Sequence, residues 1–284
     1  YFSANLLTNL NKEWEFKANA SYANNAVERK SYVATEYPTG VAYIRDISNH
    51  FYTNQAKGEF IFTKNAKKGF FKNTTTWNGF WNNDRADAYR VENTNRFAGE
   101  SLNSPTGSFQ NSLSTIIPFK EKLINFMSYF YYKKDRQTLI SSPASYSYTP
   151  FFNLGNFDKL KQDFDLNTLE VNHSASVGFT YKKWTITPEM GLNLSMNRMN
   201  STLLGISGLH ESSFGSHFSN SNTWNQVLPY TQIGINYRGE NFNLSFNLPM
   251  NFYGISFKDN IGNFSKNTNK MVFEPSIFAN YEFA

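Results

Sequence analysis

The sequence predicts an all-β chain, a stretch of an antiparallel transmembrane β-barrel with short periplasmic turns and long extracellular loops. Three observations lead there: apolar and polar residues alternate with period two, tight polar turns alternate with long polar segments, and aromatic side chains are abundant. The 284 residues include 28 Phe, 17 Tyr and 5 Trp, with a net charge of +5 and no cysteine. Soluble domains draw their apolar weight mainly from Leu, Val and Ala. A chain rich in both aromatics and Asn, Ser and Thr must present two kinds of surface, as a barrel does with a lipid face, aromatic girdles and a polar lumen.

Each strand is justified by its alternation. Trp14, Phe16, Ala18, Ala20 and Tyr22 oppose Glu15, Lys17, Asn19 and Ser21. Phe109, Leu113, Ile117 and Phe119 share a face with Asn111 and Thr115, while Gln110, Ser112 and Ser114 take the other. Val171, Ala175, Val177, Phe179 and Tyr181 oppose Asn172, Ser174, Ser176 and Thr180. The cleanest case is Trp184–Met196, whose even positions carry Trp, Ile, Pro, Met and Leu and whose odd positions are polar or small. Phe242–Phe252 repeats it, and Phe273, Pro275, Ile277, Ala279, Tyr281 and Phe283 close the series. A helical period of 3.6 would mix these sets. Prolines 118, 188, 229, 249 and 275 fall inside the runs, and each removes a ladder donor.

Between strands, short links at Asn11–Glu13, Asn65–Gly69, Lys120–Lys122, Lys182–Lys183 and Arg238–Asn241 each carry Lys or Arg. They alternate with long segments at Asn25–Asn54, Asp84–Ser108, Asp135–Thr168, Asn200–Asn222 and Asp259–Lys270, read as loops from their Gly, Pro, Asn and Asp. The runs reach the roughly 10 residues that a tilted spanning strand needs, longer than the ~5–6 of soluble strands. Trp14, Phe71 and Trp184 just after tight turns, with Phe119 and Tyr181 just before them, place a girdle at that end. The count is about eleven strands over residues 1–284. The first and last run in the same direction, so the expectation is a barrel portion with at least one strand missing before Tyr1 and with neither plug domain nor signal peptide in this chain.

Other classes fit less well. No stretch approaches the 18 or so consecutive apolar residues of a spanning helix. The sequence pI near 9.1 would suit nucleic acid, but the cations are scattered rather than clustered. No GxSxG, phosphate-binding loop or metalloprotease helix motif occurs, so the expectation is a protein that is not an enzyme and takes no cofactor. His210, His217 and Glu211 share one loop but match no standard zinc spacing. Asp158, Asp163 and Asp165 offer oxygen donors without the turn that a calcium loop requires. His50 and His173 stand alone. Glu15, Lys17, Lys57, Glu59, Lys72, Glu189, Glu274 and Glu282 line the polar face, as cross-strand partners, contacts to a plug or solvated lining.

The candidate ligand-binding residues are the loop aromatics Tyr146, Tyr148, Phe151, Phe152, Phe214 and Phe218, with Phe157 beside them. Aromatics on extracellular loops mark binding surfaces for sugars, peptides or proteins. Alternatively, they pack on one another and close the barrel mouth.

The segments NLNKEWEFKANASY, YKKWTITPEMGLNLSMN and VFEPSIFANYEF resemble the barrel region of TonB-dependent receptors of Bacteroidetes-type bacteria. The likeness spans the whole chain at the level of hairpin cadence and turns of the NKEW and KKW type. It implies ligand import across the bacterial outer membrane with TonB coupling, an N-terminal plug domain, and outer-membrane lipid, TonB and a surface lipoprotein as partners. A passive porin, and a structural or interaction barrel subunit of a surface or secretion complex, use the same strands. A soluble carbohydrate-binding domain would not need them.

Overall fold

A computed structural model describes residues 1–36, 38, 42–66, 69–91, 96–142 and 157–281. One antiparallel sheet contains every strand: β1 (Phe2–Asn9), β2 (Trp14–Glu36), β3 (Ala42–Asn65), β4 (Phe70–Asn82), β5 (Asp84–Val91), β6 (Arg96–Asn103), β7 (Thr106–Phe119), β8 (Lys122–Ser142), β9 (Lys159–Val177), β10 (Phe179–Tyr181), β11 (Trp184–Ser207), β12 (His210–Ser213), β13 (Ser219–Arg238), β14 (Phe242–Asp259), β15 (Phe264–Phe273) and β16 (Ser276–Tyr281). Neighbours along the sheet follow β1-β2-β3-β4-β7-β8-β9-β11-β13-β14-β15, eleven barrel strands in chain order. The remaining pieces extend these. β5 continues the register of β4 on β3, β6 that of β7 on β8, β10 that of β9 on β11, and β16 that of β15 on β14.

The fold is therefore a partial transmembrane β-barrel, with all five short turns where the alternation places them. Among the described residues, no helix is long and apolar enough to cross a membrane. Lys120 and Lys182 adopt positive φ at 53° and 51°, which suits the tight connections of right-twisted hairpins. Their ammonium groups lie over neighbouring rings, Lys120 over Phe119 at 5.8 Å and Lys182 over Tyr181 at 5.4 Å. Lys64 over Trp14 at 5.6 Å and Lys122 over Phe179 at 5.1 Å complete a belt of cations on aromatics at the turn end. Trp14–Phe71 at 5.5 Å and Trp184–Tyr237 at 4.9 Å pair rings within it.

The long segments depart from expectation. They are not loops for most of their length, because the ladders continue through them. β3 and β11 each run for 24 residues, about 80 Å at ~3.3 Å per residue, against a hydrocarbon layer of about 30 Å. The backbone ladder does not depend on side-chain polarity. Once both faces stand in water, Asn, Asp and Ser serve as well as any residue, so the hairpins rise well beyond the bilayer.

Four of the five prolines inside the runs stand at or beside a local break, while Pro249 keeps its place opposite Gln232 in the β13–β14 ladder. The β9–β11 ladder stops at Glu189↔Ser176 and resumes at Ile186↔Phe179, with Pro188 in the gap. The β13–β14 ladder skips Leu228 and Pro229. Pro275 divides β15 from β16, and Pro118 stands one residue from the end of β7.

Among the described residues, β1 pairs only with β2, and β15 and β16 only with β14. β1 and β15–β16 both run toward the short-turn end, so direct pairing between them would be parallel. All-antiparallel closure requires an odd number of further strands.

On the lumen face, the Tyr230 ring lies flat across Gly191 in the neighbouring strand, and its hydroxyl donates to Glu189 at 2.9 Å. A Cβ on Gly191 would meet the ring at 2.4 Å. Gly191→Ala should displace Tyr230 and lower stability by about 1–3 kcal/mol, the usual cost of overpacking. Denaturant unfolding checks this, and Gly191→Ala with Tyr230→Ser should recover part of the loss.

Candidate functional site

The two faces exchange character partway up the hairpins. From Trp14 to Tyr22 on β2 and from Trp184 to Met196 on β11, the outward face is apolar, close to the ~9–11 residues that span a bilayer. Above this band the outward face carries Lys134, Arg136 and Thr138 on β8, Asp163, Asp165 and Asn167 on β9, and Arg198, Asn200 and Thr202 on β11. The inward face takes the apolar load instead, with Leu139, Leu160, Phe164, Leu166, Met199 and Leu203.

At the top of that inward face lies an aromatic nest. Leu160, 4% exposed, is the one buried hydrophobic side chain among the described residues, and Phe157, Phe214 and Phe218 pack against it. Phe157 meets Phe214 edge-on at 5.1 Å, and Phe214 meets Phe218 at 5.8 Å, geometries favoured by ring quadrupoles. Phe157 covers Gly205 so closely that a Cβ there would lie 2.5 Å from the ring. A cavity of about 280 Å³ adjoins the nest, lined by Leu139, Leu160, Leu203 and Phe218 and by the polar side chains of Ser141, Gln162, Ser201, His217 and Asn220. That volume sits near the lower end of small-molecule sites, ~300–1,000 Å³.

Local chemistry holds the nest. Asp158 donates its N–H to the Ile206 carbonyl at 2.8 Å, and its carboxylate accepts from the Gly208 N–H at 2.9 Å. Gly208 and Gly215 have φ of 59° and 89°, a conformation costly for any side chain. Gly215 opens a 3-10 turn at Ser216–Phe218 that brings His217 and Phe218 to the cavity. Outside, Lys161 is pinned between Asp163 at 3.1 Å and Glu211 at 3.2 Å, tying β9 to the β12 strand of the capping loop. Arg136 pairs with Asp165 at 3.2 Å.

Of the sequence candidates, Phe214, Phe218 and Phe157 come together. Tyr146, Tyr148, Phe151 and Phe152 lie outside the described residues. His210 and Glu211 are adjacent on β12 and so point to opposite faces, Glu211 is held by Lys161, and His217 lines the cavity, so this trio does not converge. Asp158, Asp163 and Asp165 serve three separate partners. Lys17 pairs with Glu15 at 3.1 Å, Glu59 accepts from Asn19 at 2.8 Å and Glu189 accepts from Tyr230. Glu274 falls in the break between β15 and β16, and Glu282 lies outside the described residues. Leu160, Leu203 and Gly205 are the parts that sequence reasoning missed. Their only signal is the shift of apolar residues in β9 from odd positions (Leu169, Val171) to even ones (Leu160, Phe164, Leu166).

The chain matches no protein family model and no curated protein. Among solved structures it aligns with the crystal structure of outer membrane protease OmpT from Escherichia coli, at 11% identity and a TM-score of 0.29, over 94% of this chain and 96% of that one. The expectation that the chain is not an enzyme is corrected here, because the protein it aligns with is a protease. At that TM-score the likeness assigns no activity.

Burial pushes the Lys161 ammonium down, but the hydrogen bonds and charges of Asp163 and Glu211 outweigh it and leave its pKa above the ordinary lysine value. A raised lysine contributes stability that is complete below the unfolded-state value of about 10.4 and is lost as pH climbs through the folded one. An alkali-active protease should therefore leave residues 208–218 intact at pH 8 and cut them only once the pH has climbed well past the ordinary lysine value of about 10.4. Lys161→Met should be cut at both.

Proposed function

We infer that the chain is the barrel portion of an outer-membrane receptor of the bacterial, Bacteroidetes type, which captures a ligand at its extracellular rim and imports it with TonB coupling. The aromatic nest and its cavity carry this reading. An apolar cluster that faces inward, above the membrane band and rimmed by hydrogen-bonding groups, suits the point at which an incoming ligand would first be stripped of water. By the resemblance, the barrel is larger than these strands and is filled by a plug domain that TonB moves. Outer-membrane lipid surrounds the apolar band, and a surface lipoprotein would meet the raised hairpins.

A passive porin is favoured by a different observation, the polar and hydrated face of Glu15, Lys17, Glu59 and Glu189 along the lumen. Single-channel recording on the intact polypeptide in a planar bilayer separates the two. A plugged receptor should be nearly silent, and steady open conductance would replace the import reading with the porin. Within the import reading, Phe157→Ala and Phe214→Ala should each weaken capture of the transported ligand by about 1–3 kcal/mol, roughly 5- to 150-fold in Kd. Uptake and binding unchanged in both variants would remove the nest from the pathway.

A further inference from the structure

A second feature lies on the opposite, outward face, where β13, β14 and β15 meet the upper edge of the apolar band. Two open grooves run into each other there. The lower one, about 780 Å³, has an apolar floor of Val227, Pro229, Phe252 and Met271, with Gly254 leaving its centre without a side chain. The upper one, about 750 Å³, carries Arg198 and Lys258 among Ser221, Thr223 and Asn260. Asn225, Ser256 and Asn267 line both, so the grooves form one continuous surface.

The charges distinguish this surface from the neighbouring hairpin, where the outward cations Arg136 and Lys161 are neutralised locally, Arg136 by Asp165 and Lys161 by Asp163 and Glu211. Arg198 and Lys258 have no carboxylate partner among the described residues, and neither groove has an acidic side chain in its lining. They are also at one height. The register Arg198↔Thr223 and Thr223↔Lys258 sets them in a single row across three strands, two residues above the Met196–Asn225–Ser256 row that ends the apolar band. A phosphate bound between a guanidinium and an ammonium, with hydroxyls and amides beside them, is the arrangement that such groups favour. An apolar channel directly below, facing hydrocarbon, suits an acyl chain.

We propose that this face of β13–β15 binds an anionic, phosphate-bearing lipid of the outer leaflet, its headgroup held by Arg198 and Lys258 and one acyl chain laid along Val227, Gly254, Phe252 and Met271. The site requires only the fold and is independent of what crosses the lumen. A strand added at the free edge of β15 would lie beside it, in the plane of the sheet, and would not cover it.

Native mass spectrometry of the intact polypeptide in detergent, titrated with phosphatidylglycerol, phosphatidylcholine or inorganic phosphate, tests it. Phosphatidylglycerol should remain bound at least about tenfold more strongly than phosphatidylcholine. Arg198→Gln with Lys258→Gln should erase that preference, Gly254→Leu should weaken lipid retention with both charges intact, and Arg136→Gln, whose charge is already paired, should change neither. Circular dichroism identifies any variant that fails to fold, and Gly254→Leu then tests the site alone. Equal retention of the two lipids, or a preference untouched by the double substitution, overturns the proposal. So does displacement of phosphatidylglycerol by millimolar inorganic phosphate, which would mark a site for free anions.

Discussion

A peptide group in hydrocarbon has no water to bond, and each N–H or C=O left unpaired there costs several kcal/mol. Every other property of this chain is arranged around that requirement. It explains why the strands hold register through their interruptions: β4 and β5, β6 and β7, β9 and β10, and β15 and β16 resume on the same partner in the same register. A slip of one residue would turn each apolar side chain into the lumen and each polar one into lipid. Prolines are tolerated because the loss is one or two ladder positions and the register does not move.

The second constraint is where water lies, and it changes with height. In the lower half the outside is lipid and the inside is wet. In the upper half the outside is wet, and a surface shielded from water can exist only on the inside. The hairpins obey both without a change of backbone, by moving their apolar residues from one alternation phase to the other near Tyr132, Leu169 and Met196. The outward pairs of Arg136 with Asp165 and Lys161 with Asp163 are individually weak, as exposed ion pairs are. Their contribution is to keep the wet face polar, while the nest around Leu160 holds the tops of β9 and β11 to the capping loop.

How far this was legible in sequence depended on whether the signal was local. Period two over Trp184–Met196 and the basic pairs at Lys120–Lys122 and Lys182–Lys183 are local, and they located the strands, the turns and the strand number. The upper hairpins look like loops in sequence because Asn, Asp, Gly and Ser carry loop statistics whether or not their backbone is paired, and pairing is a property of two segments. The nest was half visible. Phe214 and Phe218 stood out as loop aromatics, but nothing in their neighbourhood names Leu160, some 50 residues away, or Gly205 beneath Phe157. A glycine that gives room to a ring looks like any other glycine until the ring is in place. The same holds for Arg198 and Lys258, which become a pair only through the register of β11, β13 and β14.

One part of the lipid-facing band shows what composition alone would misjudge. Asn73, Thr75 and Asn111 sit on the same face as Trp77, Phe109 and Leu113, flanked by Phe60 and Phe62 on one side and Phe130 on the other. Taken singly, each is a polar group in hydrocarbon. As a group they satisfy one another: the two amides exchange hydrogen bonds at 3.2 and 3.1 Å, and Asn111 also donates to Thr75 at 2.8 Å. A hydrogen bond formed away from water is stronger than one in it, and the surrounding rings keep water out. The face of a barrel strand is therefore apolar or polar by the pairs that it forms across the sheet, and an asparagine diagonal to another asparagine is less costly to lipid than an isolated polar group.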